Sequence, residues 1–226
     1  AFDPNPKIQG TLNVVPMITG SVSLVASCTI IYTILRSRKK LTVPYRRIIV
    51  GLSAFDVVQS IAVGSSIFPS PKDTTNHPWA IGNTLTCDIQ GYFAVIGGIG
   101  VPIYLCSLSI YYLCIVKFDI RRTTFRKIEP FLHIIPIIYS FFVATYCLVH
   151  QLYNNYGGVC YVAPQPLHCE MVPSVECTRG EGATRTMWTM MTYPSMALFL
   201  IILPIMISLV WKAISQARKN RRYLFA

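Results

Sequence analysis

Five long apolar runs, separated by polar stretches, set the layout of this chain. They cover residues 12–35, 48–68, 89–116, 131–152 and 187–211. A helix crosses the ~30 Å hydrocarbon core of a bilayer with about 20 apolar residues. The pattern therefore predicts five membrane-spanning helices in an all-α, polytopic transmembrane bundle, with residues 1–226 as one transmembrane helical domain. The third run has 28 residues, longer than a bilayer needs, so tilt or a protruding end is expected. Gly91, Gly97, Gly98 and Gly100 cluster in its first half, where small residues let helix backbones approach, and Pro102 should bend this helix. Residues 1–11 form a short polar tail, and residues 153–186 form a loop of 34 residues.

One residue breaks the pattern. Asp56 is the only acid inside a run, ninth of 21 residues and so roughly 13 Å deep at 1.5 Å per residue. A lone carboxylate at that depth costs several kcal/mol unless it is paired or faces a polar cavity. Two readings are open: a structural polar residue bonded to Ser53, Ser107 or Ser109, or an ion or proton site built from Asp56 with Ser107 and Ser109.

Composition supports the membrane reading, with 53% hydrophobic residues, 13% charged and a mean hydropathy of +0.48. A net charge of +11 would suggest nucleic acid in a soluble protein, but here the cations sit in short connections. Sixteen of the 20 Lys and Arg fall in residues 36–47, 117–130 and 212–226. The positive-inside rule then places the N-terminus outside and the C-terminus in the cytosol. The same basic stretches offer Arg46, Arg47, Arg121, Arg122, Arg218 and Lys219 as a face for a cytosolic partner, beyond their role as topology signal.

Cys28, Cys106, Cys114 and Cys147 lie inside apolar runs as small packing residues. Cys87, Cys160, Cys169 and Cys177 lie in or beside the loops predicted to be outside, which suggests two disulfides in an oxidising compartment, with three connectivities open. Trp79 suits an interfacial anchor or a ligand contact. His133 and His150 stand at opposite ends of the fourth run and cannot share a metal. No metal-ligand spacing, phosphate loop or nucleophile–base order is present, so neither cofactor nor catalysis is expected.

Taken together, these pieces resemble the seven-transmembrane, G-protein-coupled receptor superfamily. Leu52-Ser53-x-x-Asp56 resembles the second-helix motif of rhodopsin-like receptors, Trp79 and Cys87 the first-outer-loop Trp and the Cys opening helix three, and Pro204 the fifth-helix proline. Cys160-Tyr161 resembles the Cys-Trp pair of the second outer loop in secretin-, adhesion- and cAMP-receptor-like members. The resemblance covers residues 12–222, as helices one to five of a seven-helix bundle, in a divergent cAMP-receptor-like or protist receptor-like form. It implies a Cys87–Cys160 disulfide, which leaves Cys169–Cys177 with an eight-residue separation. The departures are equally specific: helix one lacks the expected Asn, helix four has no Trp, and Tyr111-Tyr112-Leu113 stands where Asp-Arg-Tyr would be.

The function this implies is a plasma-membrane receptor-like protein that senses an extracellular ligand and couples to a G protein. The alternative is a non-signalling structural subunit of a larger membrane complex. A transporter is weakest, since one intramembrane acid and no internal repeat give little to build alternating access on. Five helices would leave one side of helices two and three uncovered, so a longer functional chain or a covering neighbour is expected.

Overall fold

The ends of the five long helices do not coincide with the points where hydrophobicity stops. In the computed structural model, residues 6–38, 40–72, 79–120, 122–167, 169–172 and 174–224 are described, without the side chains of 6–10, 12, 122–123, 213 and 216–224. The helices are α1 (Pro6–Arg36), α2 (Pro44–Gly64), α3 (Thr84–Tyr112) and α4 (Arg122–Val149). A short α5 (Ala183–Thr186) runs through a π-helical stretch, Met187–Thr192, into α6 (Tyr193–Leu224). Five spans in this set are long and apolar enough to cross a membrane.

Local chemistry explains the shifted ends. Pro44 occupies the first turn of α2, where its fixed φ favours helix and its missing N–H costs nothing. α3 starts at Thr84 because Asn83 and Thr86 form a reciprocal cap: the Asn83 side chain accepts from the Thr86 N–H at 2.9 Å, and the Thr86 hydroxyl accepts from the Asn83 N–H at 2.8 Å. α4 begins at Arg122, well before the apolar run at residue 131. The stretch expected to be a loop up to Pro130 is thus mostly helix, and it carries Glu129 into the bundle.

α3 is the central post. It packs against α2, α4, α6 and both strands of a hairpin, whereas α1 packs on α2. Fully 56% of its span is buried, against 11% for the first span and 0% for the fifth. The outward faces of α1 and α6 carry exposed residues such as Val22, Val25, Leu200 and Leu203, as a lipid-facing surface requires.

The glycines of α3 account for its central place. A Cβ on Gly97 would lie 2.8 Å from the Gln59 Cα and closer still to its Cβ, and one on Gly100 would overlap the Phe55 ring. On Gly98 it would meet nothing closer than 3.6 Å. Gly97→Val is therefore expected to force α2 and α3 apart at a cost of about 1–3 kcal/mol, whereas Gly98→Ala should be nearly neutral. Thermal unfolding in micelles separates the two.

The core has two layers. The first layer joins Val95, Ile96 and Ile99 of α3 to Val143, Ala144 and Cys147 of α4, with the hairpin resting on it. The second, away from the hairpin, is Ile48, Tyr104, Tyr111, Phe125 and Leu132.

The hairpin is a correction to the reading of residues 153–186 as a plain loop. β1 (Tyr153–Tyr156) pairs antiparallel with β2 (Val159–Val162), Asn155 opposite Cys160. Gly157 and Gly158 make the two-residue turn at φ +60° and +92°, which a tight hairpin of this hand requires at both positions.

Candidate functional site

The hairpin is clamped across one end of the bundle. Cys160 bonds to Cys87 of α3, and Cys169 bonds to Cys177. Gln90, buried at 4% exposure, sits beside the first bridge. Its Oε1 accepts from the Cys160 N–H at 2.9 Å, while its Nε2 donates to the carbonyls of Ala62 and Ser66 at 2.9 and 2.7 Å. One amide therefore ties α2, α3 and the hairpin together. The Tyr153 hydroxyl donates to the Ala144 carbonyl of α4 at 2.8 Å, and its ring lies against Gly91. Tyr161 points down to Gly98, and burial pushes its phenol up to about 12, so it presents a neutral hydroxyl at any physiological pH.

The remainder of the long loop is tied down by charge. Arg179 donates to Asp88 of α3 at 2.5 Å and to the Gln151 carbonyl at 3.2 Å, and Glu170 accepts from the Thr184 N–H at 3.2 Å. Between these ties, the hairpin-side end of α4 and the start of α5 border a pocket of about 590 Å³. Tyr146, His150, Glu181, Arg185, Thr186 and Thr189 are among its lining. Both charge signs, two threonine hydroxyls and a tilted ring pair (Tyr146 and His150, centroids 4.4 Å apart) line one opening. Among the described residues, neither Glu181 nor Arg185 has a side-chain partner, so both are free to meet a polar solute. Sequence reasoning missed this pocket because its residues are spread from 146 to 190. Trp79 is 44% exposed on the connection between α2 and α3.

Asp56 finds its partners on α1, not α3. Ser23 and Ser27 both donate to its Oδ2, at 2.7 and 2.5 Å. They sit four residues apart, one helical turn, so both hydroxyls face the same oxygen. Ser107 instead donates to the Ile103 and Leu132 carbonyls, at 3.0 and 3.4 Å, and Ser109 to Leu105 at 2.9 Å. The grouping of Asp56 with Ser107 and Ser109 is therefore corrected: the third-helix hydroxyls are satisfied by backbone, and the acid is held by the first helix. No cluster of three metal-ligating side chains occurs among the described residues. Asp56→Asn keeps an oxygen able to accept both bonds and is expected to fold like the parent. Asp56→Leu should lose about 1–3 kcal/mol, read as a lower unfolding midpoint.

The half away from the hairpin holds a second polar assembly that the sequence did not reveal. Arg47 of α2 forks onto Glu129 of α4, with Nε to Oε1 at 2.5 Å and Nη2 to Oε2 at 2.6 Å. His133 Nε2 lies 3.8 Å from the same carboxylate, and its Nδ1 is 3.2 Å from the Tyr104 hydroxyl of α3. Three helices thus share one network around a carboxylate that is 6% exposed. Two of the residues expected on a cytosolic partner face have partners within the chain. Arg47 serves Glu129 and the Leu41 carbonyl, while Arg46 bonds the hydroxyls of Ser37 and Tyr45. Arg121 and the side chains of Arg122, Arg218 and Lys219 lie outside the described residues. Beside the network Tyr111, 3% exposed, packs edge-on to Phe125 at 4.9 Å and near Tyr45 at 6.2 Å.

No family model matches the chain, and no curated protein matches it in sequence. Its structure does have a solved neighbour. Squid rhodopsin superposes with a TM-score of 0.68 over 98% of this chain, at 13% sequence identity, and the chain spans 56% of the squid protein's length. At that identity the likeness concerns the fold. The helix order, the hairpin clamped to α3 and this superposition together give the chain a rhodopsin-like helical-bundle fold, in an integral membrane protein.

Proposed function

We propose that this chain is a receptor-like plasma-membrane protein that takes up a small polar ligand at its outer end and passes the signal across the bundle, its N-terminus outside and its C-terminus in the cytosol. The observation that carries the reading is the clamped hairpin beside the 590 Å³ pocket with unpaired Glu181 and Arg185. Leu152, in the pocket wall, leads directly into the clamped hairpin, so the wall is anchored at that point, which lowers the ordering cost of binding. The basic asymmetry supports the orientation. Screening charged metabolites and peptides by their effect on thermal unfolding tests it. A compound that stabilises the parent and fails to stabilise Arg185→Gln supports the pocket. Stabilisers indifferent to that change assign binding elsewhere.

Coupling to a G protein is the finer part of the proposal. One observation favours the alternative of a non-signalling subunit: Tyr111 is locked between Tyr45 and Phe125 where a rhodopsin-like receptor would carry a charged motif. Guanine-nucleotide exchange on a co-reconstituted G protein, with and without a stabilising compound, decides between them. Exchange supports the receptor, and its absence together with a co-purifying membrane partner supports the subunit.

A further inference from the structure

At the basic end of the fifth span, α6 presents a stripe unlike the rest of its lipid face. Pro204, Ile207, Ser208, Trp211, Lys212 and Ser215 line one pocket of about 560 Å³, closed on its other side by Lys117 at the π-helical end of α3. Spaced three and four apart, these six residues run down one helix face. Eleven steps of 1.5 Å make the stripe roughly 16 Å long, close to the depth of one bilayer leaflet. Its composition changes along that length. The Pro204 and Ile207 end is apolar, Trp211 stands at the transition, and Lys212, Ser215 and Lys117 make the other end polar and cationic. Among the described residues, no carboxylate lines it.

The two lysines differ in what they already do. The Lys212 ammonium caps the end of α3, donating to the Val116 carbonyl and to the Lys117 carbonyl at 3.2 Å. That bond holds α6 to α3 and fixes one positive charge at the mouth of the groove. The Lys117 side chain is exposed and makes no ion pair among the described residues, so its charge is available. An apolar channel one leaflet deep, with an indole at the interface and two ammonium groups above it, matches an amphiphile with a negative head. A soluble anion would leave the apolar length unused.

We propose that this groove between α3 and α6 is a binding site for one anionic phospholipid, its acyl chain along Pro204 and Ile207 and its headgroup phosphate at Lys117 and Lys212. The proposal is independent of the ligand and coupling readings above. The test reconstitutes the full chain in vesicles of phosphatidylcholine with a minor fraction of phosphatidylserine. Gentle extraction and native mass spectrometry then count the retained lipid. The parent chain should retain one phosphatidylserine in preference to phosphatidylcholine. Lys117→Gln should reduce that retention about fivefold, the worth of one Lys at an anionic surface. Lys127→Gln, which removes an equal charge from an exposed position on α4, should leave it unchanged. Trp211→Ala should reduce retention of either lipid. Equal losses for the Lys117 and Lys127 variants would mean diffuse attraction and overturn the site. So would equal retention of the two lipids, or displacement of phosphatidylserine by inorganic phosphate.

Discussion

Glu129→Leu is expected to destabilise the folded chain by about 3–5 kcal/mol, because it leaves the Arg47 guanidinium in the bundle without its counter-charge. Glu129 is 8% exposed at its side chain and Arg47 30%, so the pair is mostly withdrawn from water. Forked geometry satisfies both carboxylate oxygens, and the same carboxylate lies near His133. Arg47 keeps one bond, to the Leu41 carbonyl, and some access to the interface, which points to the lower part of the range. The informative control is the double change, Arg47→Met with Glu129→Leu. Replacing both partners by apolar groups removes the stranded charge, so most of the loss should return. Unfolding midpoints of the parent, the two single variants and the double variant in micelles give the coupling directly. Should the double variant be no better than Glu129→Leu alone, the network is not what holds α2 to α4.

Opening the Cys87–Cys160 bridge is the second large effect. The two residues are 73 positions apart, and for a loop of that size chain entropy predicts a loss of about 4 kcal/mol. The Cys169–Cys177 bridge closes a separation of only 8 and should be worth about 2.5 kcal/mol. Cys87→Ser with Cys160→Ser is therefore expected to lower the unfolding midpoint more than Cys169→Ser with Cys177→Ser. It should also expose residues 153–186 to added protease. Gln90 and Tyr153 still hold the hairpin at two points, so the strands should persist while the loop loosens. Equal sensitivity of the two double variants would show that the hairpin is held by its hydrogen bonds rather than by the bridge.

Both predictions rest on contacts across more than seventy residues of sequence, and that separation marks the limit of what the chain's pattern discloses. The five spans were legible because lipid imposes a simple rule: a spanning helix must be predominantly apolar over about 20 positions, whatever its neighbours. Helix ends were less so, since a cap such as Asn83 with Thr86 acts locally and overrides hydropathy. The hairpin had a local signal as well, Gly157-Gly158 between two strand-like tetrapeptides, but the disulfide loop around it hid the pattern.

Polar partnerships were decided otherwise. By itself the sequence determined that Asp56 must have a partner, because an unpaired acid at that depth is too costly. It could not say which hydroxyl, since Ser23, Ser27, Ser53, Ser107 and Ser109 are equivalent in composition. Only the packing of α1 on α2 brought Ser23 and Ser27 to the carboxylate. Likewise, the basic stretch before α2 identified a topology signal, whereas the early start of α4 gave Arg47 a partner within the chain by placing Glu129 beside it. Hydropathy acts on one helix at a time and can be read in order along the chain. A hydrogen bond or an ion pair depends on the rotation and depth of two helices at once, and those are settled only when all five pack together.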